Sequence, residues 1–195
     1  MMEYIARGLA NELFLNGLIT EKEKKIYCYA IQVWLEKIIG LSVILFFSII
    51  WKICLKTMFF LLYFSCIRGY ISGYHAESFW GCLFSSIGIY AIYVKLIYPI
   101  LFSYQNVNFV LLLLSFLCIF AFGAFSHPNM NWSKKEYEKS KTVARILISV
   151  EVGSIFLFFL LGMEETYILF MSFGVILSAC LLLDAKVMKK EVRYE

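Results

Sequence analysis

An all-α membrane bundle of about six transmembrane helices, preceded by an amphipathic interfacial helix, is the fold the sequence predicts. Three observations predict it. Of the 195 residues, 62% are hydrophobic and only 16% charged, too apolar for an ordinary soluble domain. Uncharged stretches recur along the whole length. The connections between them are short and charged, so the chain reads as a single membrane-embedded domain, 1–195, rather than a soluble domain on an anchor.

The elements follow in order. Over residues 1–17, Ile5, Ala6, Leu9, Ala10, Leu13 and Phe14 form one helical stripe opposite Glu3, Arg7, Asn11 and Glu12, the pattern of a helix lying in the interface. Those charges also interrupt what would be the core of a cleavable signal peptide, and none is expected. Gly17 is the stop. Thr20 and Glu23 have capping-box spacing and open a second helix that runs into the apolar stretch Ile38 to Trp51. The following run, Ile53 to Ile67, carries only Lys56. Both early runs fall short of the roughly 20 residues of a perpendicular span, so tilt, snorkelling or local thinning is expected. Beyond the polar insert Arg68 to Gly81, Leu83 to Leu101 reads as the third span, with Lys95 inside it and Pro99 near its end; Val107 to Ala124 reads as the fourth. Ser133 and Glu136 form another capping box, opening a basic helix that enters the fifth span, Ile146 to Gly162; Thr166 to Leu183 is the sixth.

Alternating six spans from a cytoplasmic N-terminus puts Lys22 to Lys25, Lys134 to Arg145 and the tail with Lys186, Lys189, Lys190 and Arg193 on the cytoplasmic side, with the C-terminus. Lys52 and Lys56 fall on the other side and count against this topology. The insert lies on the cytoplasmic face. The net charge of +4 sits beside hydrophobic segments, which suits anionic lipid headgroups and not nucleic acid. Six scattered cysteines without a CxxC pair are expected to be free thiols. Two distant histidines build no metal site, and no cofactor is expected.

Chemistry concentrates in the insert, RGYISGYHAESFWGC, which gathers Arg68, Ser72, His75, Glu77, Ser78 and Cys82. Ionisable groups near membrane depth are functional candidates. A cysteine acts as a nucleophile through its thiolate, and an imidazole can take that proton and return it to a leaving amine, so His75 and Cys82 fit as a catalytic pair. Seven helical residues separate Cα atoms by roughly 10.5 Å, too far for direct hydrogen bonding, so the segment is expected to bend at Gly73 or Gly81. Arg68 reads equally as a substrate-positioning residue and as a headgroup anchor, and Ser78 equally as a site residue and as an N-cap. His127, beside Pro128, reads as a turn residue, and the other five cysteines as small buried hydrophobes.

These residues resemble the accessory gene regulator B (AgrB) family of Gram-positive quorum sensing. The resemblance rests on Arg68, Gly73-Tyr74-His75-Ala76, Ser78-Phe79-Trp80 and Cys82, with the six-residue spacer of the family's catalytic pair. It extends to the amphipathic N-terminus, to the AIQV stretch with Gln32 and to the loop AFSHPNMNWSKKE, where the family's Ala-Pro and Asn-Lys-Pro pattern is replaced by Ala124 to Asn131. The resemblance implies a membrane cysteine endopeptidase that forms a homodimer among the lipids of the cell membrane. Its substrate would be an AgrD-type propeptide, cleaved through an acyl-thioester on Cys82 and cyclised to a thiolactone. Gln32 as an oxyanion donor, or Glu77 as the group that orients His75, would complete the site, Gln32 being preferred. The competing reading is a small transporter or peptide exporter built on Lys95 and Glu151, which sit inside apparent spans.

Overall fold

A computed structural model of the chain describes residues 2–71, 79–123 and 133–187, and these are helical nearly throughout. The helices are α1 (Met2–Leu15), α2 (Glu21–Ile50), α3 (Cys54–Ile71), α4 (Phe79–Ile92), α5 (Tyr98–Ser103), α6 (Gln105–Phe122), α7 (Lys134–Leu160) and α8 (Glu165–Val187). A π-helical turn, Tyr93–Ile97, joins α4 to α5, so Trp80–Ser103 is one continuous apolar helix. Among the described residues, six helices have the length and composition to cross a membrane. Helical backbone is required there because hydrocarbon offers peptide groups no other partner.

The residues form two compact units, Met1–Phe47 with Ala76–Tyr90, and Ser48–His75 with Ala91–Glu195. In the first, α1 stops as its sequence predicts. Gly17 takes φ +69°, its N–H reaches the Phe14 carbonyl at 3.0 Å, and the Leu18 N–H reaches Leu13 at 3.0 Å. Ala6 and Ala10 are fully buried, while Ile5 and Leu9 from the same stripe stay exposed. Lys24 ties α2 back to α1, donating to Asn11 Oδ1 at 2.7 Å and lying 5.3 Å from the Phe14 ring centroid. Thr20 and Glu23 make half of the expected capping box. The Thr20 N–H donates to the Glu23 carboxylate at 2.8 Å, but the Thr20 hydroxyl donates there too instead of accepting.

α8 is the centre of the second unit. Its span is 67% buried, and every residue from Ile168 to Val175 is inside. A helix apolar on all sides is stable only when surrounded, and α3, α6 and α7 surround this one. Gly174 lets α3 approach closely: a Cβ there would stand 2.9 Å from both the Phe60 carbonyl oxygen and the Phe64 nitrogen. Ile67 and Ile71 of α3, Leu112 and Ile119 of α6, and Ile148 and Ile155 of α7 complete the core. Asn108 of α6 donates to Ser172 of α8 at 3.1 Å.

The π turn departs from the single regular span expected over Leu83 to Leu101. Pro99 has no N–H to give the Lys95 carbonyl and its ring would strike it, so the preceding turn widens and the Tyr98 N–H bonds to Tyr93. The wider turn faces Tyr93 and Tyr98 toward α8. Tyr93 stacks on Phe173 at 3.6 Å and donates to the Leu169 carbonyl at 2.9 Å, and Tyr98 lies 5.5 Å from Phe170. The short first span, Ile38 to Trp51, also needs revision. α2 continues through its polar first turns for 30 residues, about 45 Å of helix, so of the two early runs only α3, at 18 residues, remains near the lower limit.

Candidate functional site

Three of the six predicted site residues fall among the described residues. Cys82 stands on α4 and is half-buried. Gln32 lies on α2, in the same unit, and its amide Nε2 donates to Glu36 Oε1 at 2.9 Å. Arg68 occupies the last turn of α3. His75, Glu77 and Ser78 lie outside the described residues, as does Gly73. The bend expected at Gly81 does not occur, because α4 runs regularly through Gly81 and Cys82. Glycine is tolerated within a helix in lipid because breaking the backbone ladder there costs more than the glycine does.

The end of α3 that leads toward His75 is fixed by a residue the sequence reading did not single out. Ser140 of α7, itself buried, donates to the Tyr70 carbonyl at 2.9 Å. Tyr70 is the penultimate residue of α3, and its carbonyl belongs to the last turn, which has no partner within the helix. A single serine inside KKEYEKSKTVAR carries no pattern to mark it, so only the fold shows its use. The bond sets the basic first half of α7 beside the α3 terminus, and Lys134, Lys135 and Lys139 are exposed there.

The same end of this unit gathers further cations. Arg145 donates from Nε to the Phe120 carbonyl at 2.9 Å and lies over the Phe120 ring, and Lys186 lies 5.1 Å from the Phe122 centroid. The α7 start is built as its sequence predicts. Ser133 and Glu136 form a complete capping box, with the Ser133 N–H donating to Glu136 at 2.8 Å and the Glu136 N–H to the Ser133 hydroxyl at 3.3 Å.

At the opposite end, Lys56 pairs with Glu164 at 3.4 Å and Glu164 also accepts from the Thr166 hydroxyl. These two contacts, the hydroxyl first, hold the Glu164 carboxyl below the usual carboxylate range. Lys56, which counts against the expected topology by sequence, is thus matched locally by an acid. Lys95 and Glu151 do not form the pair considered from sequence. Lys95 lies 4.9 Å from the Trp51 ring centroid, and neither Glu151 carboxyl oxygen receives a hydrogen bond.

The chain matches the family model of accessory gene regulator B over residues 2–182, nearly its whole length. No curated protein and no solved structure matches it. With six apolar helices and a match that begins before the first and reaches into the sixth, the chain belongs to the accessory gene regulator B family, multi-pass membrane proteins of quorum-sensing peptide processing.

Proposed function

We propose that the protein is a membrane cysteine endopeptidase that removes the C-terminal tail of an AgrD-type propeptide and supports its cyclisation. The observation that carries this reading is Cys82, half-buried on α4 and separated from His75 by a six-residue spacer, in a family member. His75 takes the Cys82 thiol proton, and the sulfur attacks the carbonyl carbon of the scissile peptide bond. The C–N bond then breaks, His75 returns the proton to the departing amine, and the remaining peptide is held as an acyl-thioester. A thiol within the precursor next attacks the thioester carbonyl. Its proton passes to the Cys82 sulfur through His75, and a cyclic thiolactone leaves. Excluding water favours this exchange over hydrolysis, which a site at the membrane surface supports.

In this reading Gln32 faces the oxyanion with its second amide N–H, the first being held by Glu36. Glu77 is the alternative third group, orienting His75. Arg68 and the exposed lysines of α7 receive the precursor tail, and the Ser140 to Tyr70 bond supports this by keeping those lysines beside the end of α3. The cation-rich end of the second unit faces the cytoplasm, with both termini, under the positive-inside tendency. The protein works as a homodimer. The span of α2, only 11% buried within one chain, leaves surface for a second copy as well as for lipid.

Mass spectrometry of a co-expressed propeptide tests the reading, with wild type, Cys82→Ala and His75→Ala matched for membrane level. Wild type is expected to release the tail while both variants leave the precursor intact. Cleavage by Cys82→Ala sinks it.

A further inference from the structure

Glu151 takes no part in this chemistry, yet it sits where a carboxyl group is hardest to keep. It continues the buried stripe of α7 formed by Ala144, Ile148, Val152 and Ile155, and is 7% exposed. Nine residues separate it from Leu160, the end of the helix, which is about 13 Å of rise and close to the middle of a hydrocarbon layer roughly 30 Å thick.

The hydroxyls around it are committed elsewhere. Ser154 donates to the Glu151 backbone carbonyl at 2.7 Å, and Tyr63 of α3 shares a 2.7 Å hydrogen bond with that same Ser154 oxygen. Both carboxyl oxygens are left without a hydrogen-bond partner. Among the described residues, no ionisable neighbour supplies one. On α3, Tyr63 is within electrostatic reach of both Glu151 and Cys66. The ionisable group of α6 is Cys118, which neighbours Cys180 and Lys186 of α8. Also on α8, Tyr167 lies under Lys56, while Glu165 and Asp184 are themselves acidic. Arg145 on α7 is engaged with Phe120. An isolated carboxylate in such surroundings is strongly disfavoured, whereas the neutral acid is tolerable.

We propose that Glu151 is a proton-binding site in the core of the second unit, holding its carboxyl as the neutral acid and releasing the proton only when water reaches it. On release the O–H bond breaks, the electron pair stays on the carboxylate and the proton passes to water. The site stands apart from the peptidase reading, and neither depends on the other.

Purified full-length protein in liposomes is treated with dicyclohexylcarbodiimide, which attacks protonated carboxyls in apolar surroundings, and the modified residues are mapped by mass spectrometry across pH. The adduct is expected on Glu151 and not on exposed Glu164, falling about tenfold per pH unit above its midpoint as for a single titrating acid. Sodium ions at constant pH are expected to leave the labelling unchanged. Infrared difference spectra are expected to contain a protonated-carboxyl C=O band that both Glu151→Gln and Glu151→Leu remove. Absence of the adduct at every pH overturns the proposal, as do a pH-independent adduct, protection by sodium, or a band that persists in both variants.

Discussion

Lys52 ends α2 in a conformation suited to glycine, with φ at +57°. The Lys52 N–H reaches the Ile49 carbonyl at 3.0 Å and the Ile53 N–H reaches Ser48 at 2.9 Å, so the turn closes α2 as Gly17 closes α1. The left-handed conformation costs a side-chain-bearing residue roughly 1–2 kcal/mol, while glycine gives up roughly 0.5–1 kcal/mol through its freer unfolded chain. The strain is the larger, and Lys52→Gly is expected to stabilise the protein by about 0.5–1 kcal/mol, read as a higher midpoint of thermal unfolding in detergent. Glu164 gives a pH prediction. Its carboxyl lies below the usual range when folded, so its contribution is complete above that range and is lost as pH falls through the lowered value. Thermal midpoints are therefore expected to drop on acidification, and less steeply in Glu164→Gln; equal slopes refute the assignment. Salt weakens the effect because the group is at the surface.

At the scale of elements, Gly174 decides how closely α3 and α8 approach. Alanine is the better helix former by about 1 kcal/mol, but its Cβ would meet two backbone atoms of α3 that cannot rotate away. Overpacking wins, and Gly174→Ala is expected to destabilise by about 1–3 kcal/mol. Denaturation of the purified variant measures this, and a gain in stability would show that α3 and α8 do not pack through this glycine. Much at this scale was legible beforehand. Gly17 and the Ser133 and Glu136 box are local devices, encoded within a few residues, and they form where the spacing puts them. The π turn escaped the reading because Pro99 near the end of an apolar run is compatible with a simple stop; what makes it a bulge is the ring cluster on α8, a non-local partner. The extent of α2 was legible from Thr20 and Glu23, and only its apolar run looked too short, because counting apolar residues finds where lipid begins, not where the helix does.

For the whole molecule, the two ends of the second unit carry different charge, and that difference is usable. Replacing Lys134, Lys135 and Lys139 together by glutamine removes exposed cations whose individual worth is a few tenths of a kcal/mol. The expected result is a KM for propeptide raised roughly three- to tenfold, with kcat nearly unchanged and a weaker dependence on salt. A fall in kcat at constant KM would move these lysines out of substrate reception. His75 and Cys82 stand out in sequence because they share one short polar segment, and their pairing is part of the proposed function. Ser140 was not, since the partner it caps lies seventy positions away, and the central place of α8 showed in sequence only as a span free of charge.

That central place has a consequence for manufacture. α8 is the last of the six described spans to leave the ribosome, yet it fills the middle of a unit whose other walls, α3, α6 and α7, are made before it. A nascent chain halted before Thr166 therefore presents core faces of three inserted helices to lipid, together with the amide of Asn108. The unit is then completed only once α8 has been inserted, and membrane quality control has a ready mark of unfinished chains in the Asn108 amide that Ser172 of α8 partners.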